Sequence, residues 1–165
     1  MTLRDRLHDD TTAAMRSGDA LRRDTLRMVQ NAIYNIEKAK RITLSEDEVL
    51  GVVTHEVKTR RESVEAFRRG GREDLVAKEE AEIAILQDYL PQALTEAELQ
   101  SLVDEAVAAT GAGTARDLGR AMGWLSPRIR GRADGKVASG LVAQALARAD
   151  RGADRPAPDA GRQER

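Results

Sequence analysis

The chain has 165 residues, 33% of them charged, and a formal net charge of −1, which fits one domain of ordinary size or two small ones. It has no cysteine, which excludes disulfides and thiolate chemistry, and its two histidines, His8 and His55, lie too far apart in sequence for a histidine-based metal site. Aromatic residues make up only 2%, so the core has to be aliphatic, which favours helices over sandwiches or barrels. The charge balance predicts no general attraction to DNA or a membrane, and without a signal peptide or an apolar span we expect a cytoplasmic protein.

Helix-capping residues divide the N-terminal half of the chain into four predicted helices. Thr2 begins the first, Asp19 begins the second, and Ser45 with Glu48 forms a capping box for the third. The fourth helix is predicted to stop at Pro91. Apolar residues recur at spacings of three and four in each segment, so the pattern predicts an antiparallel four-helix bundle.

Beyond Pro91 the predicted helices are shorter. Thr95 caps one, Asp117 helps to start the next, and Asp134 caps the last, while Pro127 is expected to kink or break the middle one. No segment alternates apolar and polar residues as a strand would. We therefore predict an all-α chain with an N-terminal bundle, a smaller three-helix lobe and a disordered tail, at residues 1–91, 92–149 and 150–165.

Six short stretches, in order between residues 3 and 148, resemble the GatB/YqeY family. They are Leu26-Arg-Met-Val29, Glu56-Val-Lys-Thr-Arg-Arg-Glu-Ser63, Gly71-Arg-Glu-Asp-Leu75, Asp88-Tyr-Leu-Pro-Gln92, Arg116-Asp-Leu-Gly-Arg-Ala-Met-Gly123 and Gly131-Arg-Ala-Asp-Gly-Lys136. The resemblance covers nearly the whole chain. Leu118 departs from it, because methionine is usual there, and the arginine-rich tail is extra.

The resemblance implies a helical bundle followed by a lobe similar to the C-terminal tail domain of the B subunit of the glutamine-dependent tRNA amidotransferase. In that enzyme the tail helps to hold the transfer RNA. The implied partners are therefore tRNA and a tRNA-dependent amidotransferase or related enzyme. The family also often carries the label of carbon–nitrogen ligase with glutamine as amide donor, which is an analogy until a site supports it.

The residues for that chemistry are not evident in the sequence. Amide transfer needs a nucleophile and an ATP site, but the serines are isolated and the segment from Gly131 to Lys136 is one residue short of a P-loop, with Val137 in place of the hydroxyl. We interpret this segment as a turn capped by Asp134. Acidic residues such as Glu82 are interpreted as solvated charge on an outer face. We predict no catalytic residue, no cofactor and no metal.

Two clusters of basic residues remain. The first is interleaved with glutamates three and four residues away, so we interpret it as ion pairs: Arg60, Arg61, Arg68, Arg69 and Arg72. The second has six cations against only two acids, Asp117 and Asp134, around a glycine-containing turn and a helix start, a pattern suited to phosphate. Its members are the RNA-binding candidates: Arg116, Arg120, Arg128, Arg130, Arg132 and Lys136.

Two further features lie inside the second cluster. Trp124 is interpreted as a core residue, with base stacking as the alternative. Gly119 and Gly123, one helical turn apart, are interpreted as a helix-packing face, with ligand approach as the alternative. Taken together, the sequence predicts a non-catalytic tRNA-binding or tRNA-enzyme-associated module. The alternatives are a protein-interaction scaffold that binds no RNA and a genuine carbon–nitrogen ligase.

Overall fold

The computed structural model of the chain describes residues 1–153, and all regular secondary structure in this range is helical, as predicted. No helix in the described range is both long and apolar enough to span a lipid bilayer. The chain divides into two compact units. Unit 1 consists of Met1–Ala93 and Arg130–Arg132, and unit 2 begins with Leu94–Ile129 and resumes at Ala133.

Unit 1 contains four α-helices: α1 (Leu3–Ser17), α2 (Ala20–Lys40), α3 (Glu46–Arg69) and α4 (Glu73–Gln87). Their starts follow the predicted caps. The Thr2 and Ser45 hydroxyls each accept a hydrogen bond from the third residue of the helix, whose carboxylate bonds back to the cap, and Asp19 accepts from the Arg22 N–H. α1 ends at Gly18 in the left-handed conformation. Such caps are local, which is why the sequence predicts them well.

The core of unit 1 is aliphatic. α3 packs against α4, α1 packs against α2, and α2 also contacts α3 and α4. The helices bury one continuous cluster made of Leu3, Leu7, Leu26, Val29, Ile33, Leu44, Val49, Val52, Val53, Val57, Leu86 and Tyr89. Burying each of these aliphatic side chains contributes about 1.5–3 kcal/mol, so the apolar stripes, more than helix propensity, hold the unit together.

Tyr89 brings a polar group into that core and is only 3% exposed. Its hydroxyl donates to Asp10 of α1 and accepts from the Arg22 guanidinium of α2 at 3.2 Å, and the Arg6 guanidinium lies 5.2 Å from the ring centroid. Burial, together with the hydrogen bond to Asp10, raises the pKa of Tyr89 to about 12. The segment after α4 is thus attached to both α1 and α2.

Unit 2 contains α5 (Glu96–Thr110), a 3₁₀ turn (Ala115–Asp117), α6 (Leu118–Ile129) and α7 (Gly135–Ala153). Each of its three α-helices contacts the other two. The buried residues of the unit are Leu99, Val103, Ala106, Ala112, Ala121, Leu125, Ile129, Ala138, Val142 and Leu146. Several of these residues are alanines, and none is aromatic. Their small side chains allow the helices to approach one another closely.

The helix does not break at Pro127, since α6 continues through it to Ile129, and the alternative of a kink stays a prediction. Proline removes the hydrogen bond to the carbonyl four residues earlier, which belongs to Gly123. Gly123 is exposed, so water can satisfy that carbonyl, and the helix ends only two residues after the proline. The energetic cost of the hydrogen bond lost at Pro127 is therefore confined to the last turn of α6.

The bounds of the units differ from the predicted ones in two places. The first border lies between Ala93 and Leu94, and the turn Arg130–Arg132 belongs to unit 1, whereas we predicted lobes at residues 1–91 and 92–149. α7 extends to Ala153, three residues past Asp150, where the tail was predicted to begin. The remainder of the predicted tail, residues 154–165, lies outside the described residues.

Candidate nucleic-acid interface

The six predicted RNA-binding residues are divided between the two units. Arg116 lies in the 3₁₀ turn, Arg120 and Arg128 lie near the two ends of α6, and Lys136 lies in the first turn of α7, all in unit 2 and all exposed. The other two candidates, Arg130 and Arg132, belong to unit 1. On α6, the rise of about 1.5 Å per residue separates Arg120 from Arg128 by about 12 Å.

Both acids of this segment are engaged in helix starts. The Asp117 carboxylate accepts hydrogen bonds from the backbone N–H groups of Gly113 (2.9 Å) and Thr114 (3.0 Å), which hold its pKa below the ordinary value, and it pairs with Arg120 at 2.9 Å. Asp134 Oδ1 accepts from the backbone N–H groups of Lys136 (2.7 Å) and Val137 (3.3 Å). The predicted turn and N-cap at Asp134 are therefore confirmed, and no strand precedes the Gly131 turn within the described chain.

Because the acids serve as caps, most of the nearby cations keep their charge available. Within the described residues, no carboxylate lies within 4 Å of the charged groups of Arg116, Arg128, Arg130 and Lys136. All four side chains are exposed. The sequence excess of cations between residues 116 and 136 is thus an excess at the surface of the protein.

Arg128 stacks on the one tryptophan of the chain. Its guanidinium carbon lies 3.7 Å from the centroid of the Trp124 ring, and Nη1 donates to the Trp124 carbonyl. Trp124 itself is half-buried and packs against the core of unit 2, as predicted. The stack orders Arg128 in the last turn of α6, while the remaining N–H groups of its guanidinium stay available to a ligand. The Trp-x-x-x-Arg spacing is the sequence signal for this pair, which the sequence analysis did not use.

The turn that carries Arg130 and Arg132 is held firmly within unit 1. Gly131 has φ +72°, and a Cβ there would lie 3.1 Å from the Pro91 ring and 3.3 Å from Leu50, so only glycine fits without a shift. Arg132 Nε donates to the carbonyl of Gln92 at 3.1 Å. Arg132 thus has a structural partner and is only partly exposed.

Arg130 lines an open groove of about 390 Å³ in unit 1. Its floor is apolar, with Ile36 and Val52, and its rim carries Lys40, His55 and Glu56 among other charged groups. The Arg130 side chain has no carboxylate partner within 4 Å in the described chain. It is therefore an exposed cation at the edge of this groove.

The interpretation of Gly119 and Gly123 as a helix-packing face is wrong. Both residues are exposed, and a Cβ built at either position would meet no atom within 4 Å. They lie one turn apart on the solvent side of α6, flanked by Arg120 and Trp124. The fold makes no use of the missing side chains, and the backbone of α6 is open to close approach at this face.

Three arginines of the first basic cluster are paired, as predicted, whereas Arg61 and Arg69 have no ion pair within the described residues. Arg68 bonds to Glu65 and to Glu80, and Arg72 bonds to Asp74. Arg60 and Glu82 are buried. Arg60 is 4% exposed and Glu82 is 6% exposed, and they form a 2.8 Å ion pair between α3 and α4. The interpretation of Glu82 as solvated charge on an outer face is wrong.

Comparison with known proteins identifies the family of this chain. Residues 4–146 match the family model described as Yqey-like protein. A protein of Pyrenophora tritici-repentis (strain Pt-1C-BFP) named "Altered inheritance of mitochondria protein 41, mitochondrial" is 34% identical over 130 residues, which cover 78% of this chain and 71% of that protein. Proteins of the same name from Lachancea thermotolerans and Vanderwaltozyma polyspora are 35% and 33% identical.

Those two matches are shorter. They cover 59% and 51% of this chain, and 54% and 46% of the respective relative, so each spans about half of the relative's length. The names of all three relatives place those proteins in mitochondria. A cytoplasmic location for this chain stays a prediction. The family resemblance seen in the sequence is confirmed, and the chain belongs to the Yqey-like protein family.

Proposed function

We propose that this protein binds tRNA without catalysing a reaction on it, and that unit 2 provides the main contact. The observation that supports the proposal is the use of Asp117 and Asp134 as helix caps, which leaves Arg116, Arg128 and Lys136 exposed without a carboxylate partner among the described residues. Between residues 116 and 136, six cations face only two acids in a chain with a net charge of −1. Phosphate oxygens are the ligands that such a surface fits.

The geometry of α6 suits a folded RNA backbone. Its solvent face has no side chain at Gly119 or Gly123, so a sugar–phosphate backbone can approach the helix closely. Arg120 and the Arg128–Trp124 stack border this face and supply guanidinium groups that bind phosphate. Contacts of this kind recognise the shape and charge of RNA more than its sequence.

The choice of tRNA as the RNA rests on the resemblance to the tail domain of the tRNA amidotransferase B subunit. In the same way, an association with a tRNA-dependent amidotransferase is part of the proposal. A carbon–nitrogen ligase and a scaffold that binds only protein are the competing functions. Release of ammonia from glutamine by the purified protein would support the ligase, and binding of tRNA alone would not.

The test measures the salt dependence of tRNA binding. The variant carries Arg116→Gln, Arg128→Gln and Lys136→Gln, which removes three unpaired cations from unit 2. Each phosphate contact contributes about 0.7–0.9 to the slope of log K against log salt, so we expect weaker binding at low salt and a slope flattened by roughly two to three units. Fluorescence anisotropy with labelled tRNA at several salt concentrations measures both quantities.

A matched control removes the same net charge from paired positions. Arg23→Gln, Arg68→Gln and Arg72→Gln each take a cation from an ion pair with a local carboxylate. We expect this variant to retain most of the tRNA affinity and slope. A control that weakens binding as much as the unit 2 variant would show that net charge alone matters. Failure of the unmodified protein to bind tRNA at low salt would favour the protein-interaction scaffold.

A further inference from the structure

The outer face of α2 carries a second surface with a composition unlike that of a solvated helix face. Arg27, Asn31, Tyr34 and Lys38 follow one another at spacings of four, three and four residues, so they share one side of the helix, and all four are exposed. Arg41 follows at the C-cap and is also exposed. We call these five residues the α2 surface. At about 1.5 Å per residue, it is about 20 Å long.

The acids of α2 do not neutralise this surface. Asp24 is held by Arg23, with contacts of 2.7 and 3.0 Å, and Glu37 is held by Arg4 and by the backbone N–H of Leu44. In the described part of the chain, no carboxylate lies within 4 Å of the charged groups of Arg27, Lys38 or Arg41. Arg23, together with Arg27, lowers the pKa of Asp24, so Arg27 is partly compensated, whereas Lys38 and Arg41 carry positive charge with no such acid in the described chain.

Tyr34 gives the α2 surface an aromatic platform. Of the four aromatic residues of the chain, Tyr34 alone is exposed, at 59%, and the Lys38 ammonium lies 5.9 Å from its ring centroid. An exposed aromatic ring beside a lysine does nothing for the core. It provides one face on which a nucleobase can stack, with a cation near the phosphate that follows.

The backbone at Arg41 is a separate observation that points to the use of its side chain. Arg41 has φ 56° and ψ 43°, and it is the only residue other than glycine with positive φ in the described range. Glycine is the ordinary residue at such a helix end because a Cβ is strained there. The Arg41 side chain has no hydrogen bond or ion pair in the described chain, so the fold gains nothing specific from it. Strain kept at an exposed cation is typical of a residue that acts on a ligand.

The favourable interaction of cations with the C-terminal end of a helix explains only part of this arrangement. It accounts for the positions of Lys38 and Lys40, which lie in the last turn. It does not account for Arg27, for the exposed ring of Tyr34 or for the strained backbone of Arg41. An acidic protein would pair with the cations but would not need a bare aromatic ring between them.

We propose that the α2 surface binds a single-stranded segment of RNA, with a base stacked on Tyr34 and the backbone phosphates bound by Arg27, Lys38 and Arg41. Sequence-tolerant binding to single strands combines an aromatic ring with polar and cationic groups. The α2 surface supplies the Tyr34 ring with the Asn31 amide and the Lys38 ammonium beside it. It also supplies the guanidinium groups of Arg27 and Arg41, which have no ion pair in the described chain. The ligand class rests on the proposed RNA-binding function, but the surface is separate in sequence from the cations of unit 2 and can be tested independently of them.

The experiment uses the full chain and a labelled single-stranded 12-nucleotide oligouridylate, with a 12-base-pair RNA duplex as the second probe. The variant carries Tyr34→Leu, Lys38→Gln and Arg41→Gly. Loss of one stacked base and two phosphate contacts should weaken binding of the single strand by at least about tenfold and binding of the duplex by much less. The control Arg68→Gln/Arg72→Gln, which removes the same charge from ion pairs of unit 1, should leave binding of the single strand nearly unchanged.

Arg41→Gly alone gives a readout that separates binding from folding. Glycine relieves the backbone strain, so the melting temperature should rise while binding of the single strand falls. If the melting temperature rises and binding of the single strand is unchanged, Arg41 does not contact the RNA, and the assignment of that residue is overturned.

The outcomes for the two surfaces are distinguishable. If the α2 variant binds the single strand as the unmodified protein does, while the unit 2 variant loses tRNA, then the α2 surface is wrong and the proposed function stands. If the α2 variant no longer binds the single strand and the unit 2 variant still binds tRNA, the α2 surface stands and the proposed function of unit 2 is wrong. If polyglutamate displaces the single strand equally from the unmodified protein and from a Tyr34→Leu variant, the surface recognises charge alone and suits an acidic protein. That result would overturn the assignment to RNA.

Discussion

The two arginine-rich segments of the chain look similar in sequence and differ in what surrounds the charges. Between residues 60 and 72, α3 and α4 supply carboxylates to three of the five guanidinium groups, including the buried Glu82 for Arg60. Between residues 116 and 136 the two carboxylates cap helices, and most of the cations are left free in the described structure. Basic residues therefore indicate a binding surface only where the nearby acids already have another role.

The largest effect should come from breaking the buried pair of the first segment. Arg60→Ala leaves Glu82 buried, with Lys78 at 3.8 Å as its remaining cation. Because an unpaired buried charge is strongly unfavourable, we expect the free energy of unfolding to fall by about 3–5 kcal/mol, measured by urea denaturation.

Two variants control that result. Arg68→Ala removes an exposed pair and should cost less than about 1 kcal/mol. Arg60→Met combined with Glu82→Leu replaces both buried charges by apolar side chains and should recover much of the lost stability. If Arg60→Ala costs no more than Arg68→Ala, the distinction between a buried pair and a surface pair within this segment is wrong.

An intermediate effect should follow from Tyr89, another polar group of unit 1 with internal partners. Its pKa is raised to about 12 by burial and by the hydrogen bond to Asp10, against an ordinary value near 10 in the unfolded chain. The neutral phenol is favoured in the folded state, so its contribution is complete below about pH 10 and is lost as the pH rises towards 12. We expect a loss of up to about 2–3 kcal/mol over this interval.

The measurement is urea denaturation at several pH values between 9 and 12, compared with Tyr89→Phe, in which the loss attributable to the phenol should be absent. An absorbance titration of the Tyr34→Phe variant, which has Tyr89 as its single tyrosine, reports the folded-state ionisation directly. Ionisation near pH 10 in that titration would contradict the described burial of the hydroxyl.

The smallest effect should appear in the second segment, at Gly123. Alanine is favoured over glycine inside an exposed helix, and nothing lies within 4 Å of the added Cβ, so Gly123→Ala should stabilise the protein by about 0.5–1 kcal/mol. If the open face of α6 receives an RNA backbone, the same change should weaken tRNA binding. Calorimetry measures the expected gain in stability, and fluorescence anisotropy on the same sample measures the expected loss of tRNA affinity. A stabilised variant with unchanged tRNA affinity would show that α6 is not part of the interface.

Helix starts were largely predictable because they depend on residues close in sequence. Thr2, Ser45, Thr95 and Asp134 each bond to an N–H two or three residues away, and the structure shows each of these contacts. The absence of a break at Pro127 was not predictable, because the energetic cost of a proline depends on the environment of one carbonyl. That carbonyl belongs to an exposed glycine near the helix end.

In the candidate sites, too, some features follow from the local sequence and others from the tertiary structure. The sequence by itself determined the helical class, the family and the excess of cations between residues 116 and 136, because these depend on composition, local spacing and motif order. The tertiary structure decided that Glu82 is buried, that Gly119 and Gly123 face solvent, and that Tyr34 is the exposed aromatic residue. The physical reason is that an amphipathic pattern identifies the face of a helix that is buried, whereas the neighbouring helices determine what its edges and opposite face contact.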